Sequence, residues 1–214
     1  MIVALLIAAF IIGSVPTGSV IAAIKGVDLR KVGSGNIGAT NVMRAMGKGA
    51  ALLTLAGDTA KGAIPVLAVR YFFRDTGIQF SSLVSLPFQI SDAHLALEGV
   101  VGLAAILGHT FSIFLRFRGG KGVATGLGVA FVLSPYGAMM AATVWLMTFR
   151  FSGYSSLSGL VAFASFPLCV YVIDYSIEKI VIGILAAVLI FYTHRDNIRR
   201  LITGKEAQFA RGKR

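Results

Sequence analysis

Acidic side chains are scarce in this 214-residue chain: nine Asp and Glu stand against 20 Lys and Arg, and charged residues of both signs make up 14%, well under the roughly 25% of a soluble domain. Cysteine is scarcer still. Cys169 is the only one, which excludes a disulfide scaffold, a zinc ribbon and an iron–sulfur protein, and its place in an apolar run makes it a small filler. No basic segment precedes the first apolar stretch, whose earliest charge is Lys25. A cleaved signal peptide therefore fits poorly, and Met1 to Ile24 reads as a retained span.

Apolar residues are what the chain has in excess, at 56% with a mean hydropathy of +0.81. The composition predicts one integral-membrane domain over 1–214, all-α and polytopic. Beyond 1–24, apolar stretches run over about 50–73, 95–115, 122–149, 157–173 and 179–193, several near the ~20 residues a bilayer-crossing helix needs. The stretch 122–149 is interrupted by Ser134-Pro135-Tyr136, where proline removes a helix hydrogen bond and permits a reversal. One tilted helix and two short ones are both open there on local grounds.

The formal charge of +11 would suggest nucleic acid in a soluble chain. In a membrane chain it reports topology, because short cytoplasmic loops are rich in Lys and Arg, and no nucleic-acid partner is expected. Seven spans with the N-terminus outside and the C-terminus cytoplasmic put 16 of the 20 basic residues on the cytoplasmic side. They lie in the loop 25–48, at Arg116, Arg118 and Lys121, at Arg150, and in the tail from Arg195 to Arg214. The outer side keeps Arg70, Arg74 and Lys179 with Asp75, Asp92, Glu98, Asp174 and Glu178. Two of the seven helices are then short, about 13 residues or ~20 Å, and must be buried among neighbours or sit beside a thinned or wet region.

Three polar clusters fall on that cytoplasmic side. The first, Lys31 to Arg44, contains Gly33-x-Gly35-x-x-Gly38. As a dinucleotide fingerprint it fails, because a transmembrane helix precedes it where a strand is required. The glycines permit a tight backbone whose N–H groups line an anion-binding concavity. Ser34, Asn36, Thr40 and Asn41 add hydroxyls and amides, and Arg44 a phosphate-binding fork. A flexible connector is the bland alternative. The second cluster, Gly108 to Thr125, holds Gly119-Gly120-Lys121-Gly122. It misses the spacing of a nucleotide-binding P-loop, yet a glycine turn opening a helix N-terminus suits an anion, with Lys121 as a full charge. The third, His194 to Glu206, reads by default as a basic segment on anionic lipid, which leaves His194 and Asn197 as surplus polar groups on one helical face. Inside the second span, Asp58 and Lys61 either pair as structural glue or act directly. His109 ends the third span beside the glycine turn, and nothing is expected of His94.

These segments resemble the bacterial acyl-phosphate:glycerol-3-phosphate acyltransferases, the PlsY family. The likeness rests on GSGNIGATNVMR at 33–44, GHTFSIFLRFRGGKGVAT at 108–125, HRDNIRRLITGKE at 194–206 and D-x-x-K-G at 58–62, and it spans nearly the whole chain. Two departures are visible: Ser112 stands where the family usually has proline, and the outer loop of about 74–94 is long. The resemblance implies an enzyme of the bacterial inner membrane, with its site on the cytoplasmic face. Such an enzyme moves a fatty acyl group from a long-chain acyl phosphate to the 1-hydroxyl of glycerol 3-phosphate, giving lysophosphatidic acid. It implies catalytic roles for Ser34, Arg44, Lys121, His194 and Asn197, a phosphate-binding turn at Gly119, Gly120 and Gly122, and a structural Glu206; the residues themselves add expected phosphate contacts at Gly33, Gly35, Asn36, Thr40 and Asn41 and support from Asp58, Lys61 and His109.

An acyl phosphate is already an activated mixed anhydride, so neither metal, cofactor nor covalent nucleophile is expected. The chain has no Gly-x-Ser-x-Gly elbow and no His-x4-Asp pair. What remains is to hold two anions together, stabilise an oxyanion and receive one proton. His194 and a substrate phosphate are both open as the proton acceptor. The alternative class is a transporter or channel for a phosphorylated metabolite, but such sites usually lie at the midplane, whereas these clusters crowd one face.

Overall fold

A computed structural model describes residues 1–73 and 92–209, and every regular element among them is helical. The helices are α1 (Ile2–Ser14), α2 (Thr17–Ile24), α3 (Ala39–Met46), α4 (Lys48–Phe73), α5 (Ala93–Thr110), α6 (Val123–Leu133), α7 (Pro135–Ser152), α8 (Ser155–Ile173), α9 (Ile177–Thr193) and α10 (Arg195–Ile202). Among the described residues four segments are long and apolar enough to cross a membrane: Ile2–Ile24, Lys48–Phe72, Ala93–Leu115 and Ser155–Ile173. A fifth arises if α9 and α10, bent by 64°, count as one. Of the residues weighed for topology, Arg74, Asp75, Arg211, Lys213 and Arg214 lie outside the described residues, as does most of the 74–94 loop.

The first span is two helices rather than one, because Pro16 interrupts it. A proline has no N–H and clashes with the preceding turn, so carbonyls at the break need other donors. Side chains from elsewhere supply them: Ser112 Oγ donates to Ser14 O at 2.5 Å, and Lys61 Nζ to Val15 O at 2.7 Å. Ser112 is thus a buried tie between the α5–α6 loop and the kink in the first span.

Stretch 122–149 divides where expected. Helix α6 ends at Leu133 and α7 begins at Pro135. Only the first piece is short. Helix α7 has 18 residues, because nothing after Phe149 breaks it until Gly153, whose φ of 72° closes the last turn. The two run in opposite senses. Gly122 and Val123, at the start of α6, border the same cavity as Ser155 just past α7, while Gly137 near their junction packs against Val170 towards the far end of α8.

Helix α6 sits in the middle of the core. Val129, Val132 and Leu133 join Val66 of α4, Ile106 of α5, Phe163 of α8 and Ile190 of α9. Its glycines set the spacing: a Cβ on Gly128 would strike Thr59 O, and one on Gly62 would strike Thr125 O. Backbones of α4 and α6 therefore touch directly, the small-residue contact by which helices associate in lipid. The same reciprocal contact joins α1 and α5 through Gly13 and Gly108.

Candidate active site

The three clusters, far apart in sequence, meet at the end of the bundle where α6 begins. In the first, Gly33 and Gly35 take left-handed backbone, with φ of 56° and 67°. Asn41, 1% exposed, holds the loop's shape. Its Oδ1 accepts from Ser34 N at 3.0 Å and its Nδ2 donates to Leu29 O at 3.1 Å and Asn36 O at 2.8 Å. Those bonds make Asn41 a buttress of the loop, and it also borders the cavity. Asn36 folds back on the chain, accepting from Ile37 N at 3.0 Å. Thr40 Oγ1 lies 3.0 Å from Ser155 Oγ. Arg44, from the last turn of α3, reaches Ala207 O at 3.4 Å.

The glycine turn of the second cluster differs from expectation. Gly119 N and Gly120 N do not open towards a ligand: they donate to Thr110 O and His109 O, each at 3.0 Å. The reason is local, since the last carbonyls of α5 have no partner in their own helix. A Cβ on Gly119 would collide with His109 O, and one on Gly120 with His109 Nε2. Gly122, Val123 and Ala124 border the cavity, where α6 starts after Gly122 (φ 87°) with no side-chain cap. Lys121 sits at that opening, its own carbonyl tied by Thr193 Oγ1 at 3.0 Å. Burial draws its ammonium down to about 8; Glu206 and Asp196 oppose this, and Arg200 and Arg44 add to it.

In the third cluster, His194 follows the last turn of α9 and is 2% exposed. Its Nδ1 lies 2.8 Å from Ile190 O. A carbonyl only accepts, so Nδ1 carries the hydrogen and Nε2 keeps a lone pair. Burial and then the Lys121 charge push the imidazole down to about 4, against the Ile190 bond and Glu206. It is neutral at any working pH. Glu206 gathers three donors: Asn197 Nδ2 and Ser156 Oγ at 2.6 Å each on Oε1, and Arg200 Nε at 2.7 Å on Oε2. Burial alone would raise its carboxyl, but the three bonds outweigh that and hold it low.

Beneath the turn, Lys61 Nζ lies 2.8 Å from Asp58 Oδ1, with both side chains buried. His109 Nδ1 stands 3.8 Å from the same oxygen. Asp58 and Lys61 therefore do form a pair, and Asp58 and His109 also border the cavity. His94 is elsewhere, 3.4 Å from Glu98, which Arg70 grips at 2.5 Å.

One cavity of about 370 Å³ connects these groups. Its polar end carries Ser34, Asn36, Thr40, Arg44, Lys121, Gly122, His194, Asn197 and Glu206. From there an apolar arm runs between α6, α7 and α8, lined by Leu127, Ala130, Ala141, Trp145, Phe163 and Phe166. Gly33, Gly35, Gly119, Gly120 and Lys61 stand behind this lining as framework.

The profile described as glycerol-3-phosphate acyltransferase matches residues 3–204. The chain belongs to the glycerol-3-phosphate acyltransferase family. A glycerol-3-phosphate acyltransferase of Aquifex aeolicus is 44% identical over 206 residues, covering 96% of this chain and 97% of its own. One of Geotalea daltonii is 41% identical, covering 98% of each. The crystal structure of the integral membrane glycerol 3-phosphate acyltransferase PlsY in its glycerol 3-phosphate form is 41% identical. It superposes with a TM-score of 0.83 over 98% of this chain and 96% of its own. The lysophosphatidic acid form gives 0.82 at 40% identity, over 98% and 95% of the two chains.

For this member of the acyltransferase family, sequence reading missed three supports. Arg30, counted only for topology, donates to Arg118 O and, at 3.3 Å, to Gly35 O, latching the first loop to the second. Ser155 and Ser156 open α8 against Thr40 and Glu206. A Tyr-Ser-Ser run before an apolar helix is a start signal, and was readable as such; its partners were not.

Proposed function

We propose that this integral-membrane acyltransferase transfers a fatty acyl group from a long-chain acyl phosphate to the 1-hydroxyl of glycerol 3-phosphate, releasing phosphate and lysophosphatidic acid. One observation carries the reading: a basic polar pocket opens directly into an apolar arm, the shape of a substrate with a phosphate head and a hydrocarbon tail. Arg44, Lys121 and Ser34 bind phosphate oxygens, with the first-turn amides of α6. The arm takes the acyl chain. The family assignment replaces the transporter alternative.

The 1-hydroxyl oxygen attacks the acyl carbon, a C–O bond forms, and the bond to the phosphate oxygen breaks with that oxygen keeping the electron pair. Lys121 and the α6 amides offset charge on the acyl oxygen and on the departing phosphate. His194 Nε2 accepts a hydrogen bond from the hydroxyl and orients it. At about 4 the imidazole is a weak base, whereas a phosphate with a second pKa near 6 is stronger, so the hydroxyl proton passes to a substrate phosphate. Asn197 is fixed by Glu206, and that carboxylate pins the third cluster in place.

Purified protein in detergent should form lysophosphatidic acid from glycerol 3-phosphate and palmitoyl phosphate without metal or nucleotide. Product from palmitoyl-CoA and none from the acyl phosphate would overturn the donor assignment.

In the bacterial inner membrane we place seven crossing segments (α1–α2, α4, α5, α6, α7, α8 and α9), the N-terminus outside, and the site and C-terminus in the cytoplasm, with the whole chain as one domain. The charge bias of the loops supports this. In a Cys169→Ala background, Lys48→Cys and Lys205→Cys should label from the cytoplasm and Tyr175→Cys from outside; labelling of the first two from opposite faces would refute the topology.

A further inference from the structure

Past Gly204, where the family profile ends, the chain does not leave the site. Residues 205–209 turn back along the cavity, with Glu206 and Ala207 in its lining, as a strap fixed at two points. At one end Glu206 is held by Asn197, Ser156 and Arg200. At the other, Phe209 N donates to Gly153 O at 2.8 Å, and the Phe209 ring packs edge-on against Phe149 with centroids 5.5 Å apart. Phe149 is itself stacked on Trp145 at 5.0 Å, and Trp145 lines the apolar arm. Between the two fixed points the strap meets Arg44: Ala207 O accepts from Arg44 Nη2 at 3.4 Å, and the guanidinium carbon lies 5.9 Å from the centre of the Phe209 ring.

Arg44 needs such help. It projects from α3, a helix of only eight residues, and is exposed. No carboxylate pairs with it among the described residues. An arginine with free rotamers loses conformational freedom each time it closes on a phosphate. A flat aromatic face and one carbonyl hold the fork near its working direction while leaving its other N–H groups for a ligand. The carbonyl and the ring belong to one strap.

We infer that Phe209 is a positioning residue for substrate phosphate, acting through Arg44. This rests on the reading of Arg44 as a phosphate ligand in the proposed function. It also ties the aromatic ladder Trp145–Phe149–Phe209, at the wall of the acyl-chain arm, to the anion-binding end of the same cavity.

The test is a double-mutant cycle in the full-length protein, read as kcat and KM for glycerol 3-phosphate and for palmitoyl phosphate separately. Phe209→Leu keeps apolar packing on Phe149 and removes the aromatic face. It should raise KM for one phosphate substrate about five-fold, leave kcat within about two-fold and leave Tm unchanged, while Phe209→Tyr should restore the wild-type KM. Arg44→Ala should raise the same KM more. Adding Phe209→Leu to Arg44→Ala should then cost nothing further, because the group being positioned is gone. Normal KM in Phe209→Leu beside an impaired Arg44→Ala would overturn this inference alone, as would penalties that multiply in the double variant. Normal kinetics in Arg44→Ala would instead overturn the role of Arg44 itself, and this inference with it. If Phe209→Leu proves unstable, Phe149→Leu offers a second route. It loosens the ring without touching Arg44, and an unchanged KM there would also count against the strap.

Discussion

Gly33 and Gly35 in the first loop, and Gly119 and Gly120 in the second, stand in segments of nearly the same composition. In the first loop the backbone itself is unusual: φ is positive at both glycines, a region where an L side chain costs roughly 1–2 kcal/mol. In the second the backbone of Gly119 and Gly120 is ordinary and the crowding comes from across the gap, where the carbonyls and ring of α5 leave no room for a Cβ. Among the glycines there only Gly122 takes positive φ, although Arg116 and Phe117 just before them do so at 52° and 61°. The first loop bends to make a shape. The second approaches a helix end closely and, in capping it, aims Lys121. Glycine is required in both for different reasons, and those reasons predict different failures.

The largest effect belongs to the charge that the second loop delivers. Lys121→Ala should lower kcat/KM by about 10³-fold, through kcat as well as KM, the scale of losing one preorganised donor of transition-state charge. Next is the framework that aims it. Gly120→Ala drives a methyl into the His109 ring and should cost about 100-fold with a lowered Tm, since a misplacement of about 1 Å has that scale; near-normal activity would mean the contact relaxes freely.

Acid–base behaviour separates the loops in a third way. Because Lys121 sits at about 8 in the free enzyme, its charge is present below that pH and lost above it. The kcat/KM profile should therefore fall about tenfold per unit beyond pH 8. Lys121→Arg, which stays charged, should remove that limb whatever its absolute rate. Gly33→Ala should be milder than Gly120→Ala, about five- to tenfold and mainly in KM, because it strains one loop and presses on Asn41 Oδ1 without moving Lys121. A larger loss than Gly120→Ala would reverse the contrast. The smallest effect is at His194. His194→Gln should keep activity within about threefold and leave the pH profile unchanged, because an imidazole at about 4 contributes little as a base. A drop of 10²-fold or more would restore it to that role.

The convergence of three distant clusters was readable from residue types and from the distribution of basic charge, and the reversal at Ser134-Pro135 from one proline. Pro16 is an equally plain signal, but an uninterrupted apolar run masked it. Whether glycine N–H groups at 119 and 120 face a ligand or a helix end depends on what stands opposite, and a local pattern does not contain that. Arg30, Ser156 and Phe209 act across intervals of 88, 50 and 165 residues, beyond the reach of any spacing rule. The bracing role of Asn41 was hidden for a related reason: an amide that binds phosphate and an amide that braces a loop have the same donors, and only their partners differ.

Helix α6 also has a consequence for how the protein is made. Eleven residues rise only about 16 Å, half the ~30 Å of a bilayer's hydrocarbon. Seven of its residues are buried against neighbours, and its own helix turns are too few to hold it in lipid. On the proposed topology α6 has no stable place until α7 has followed it, and the two should enter as a hairpin against the glycine face of α4. A nascent chain halted after Leu133 would leave this segment, and the Lys121 turn before it, out of the membrane. The Lys121 turn, which opens α6, would then settle only once α8 and α9 pack around that helix.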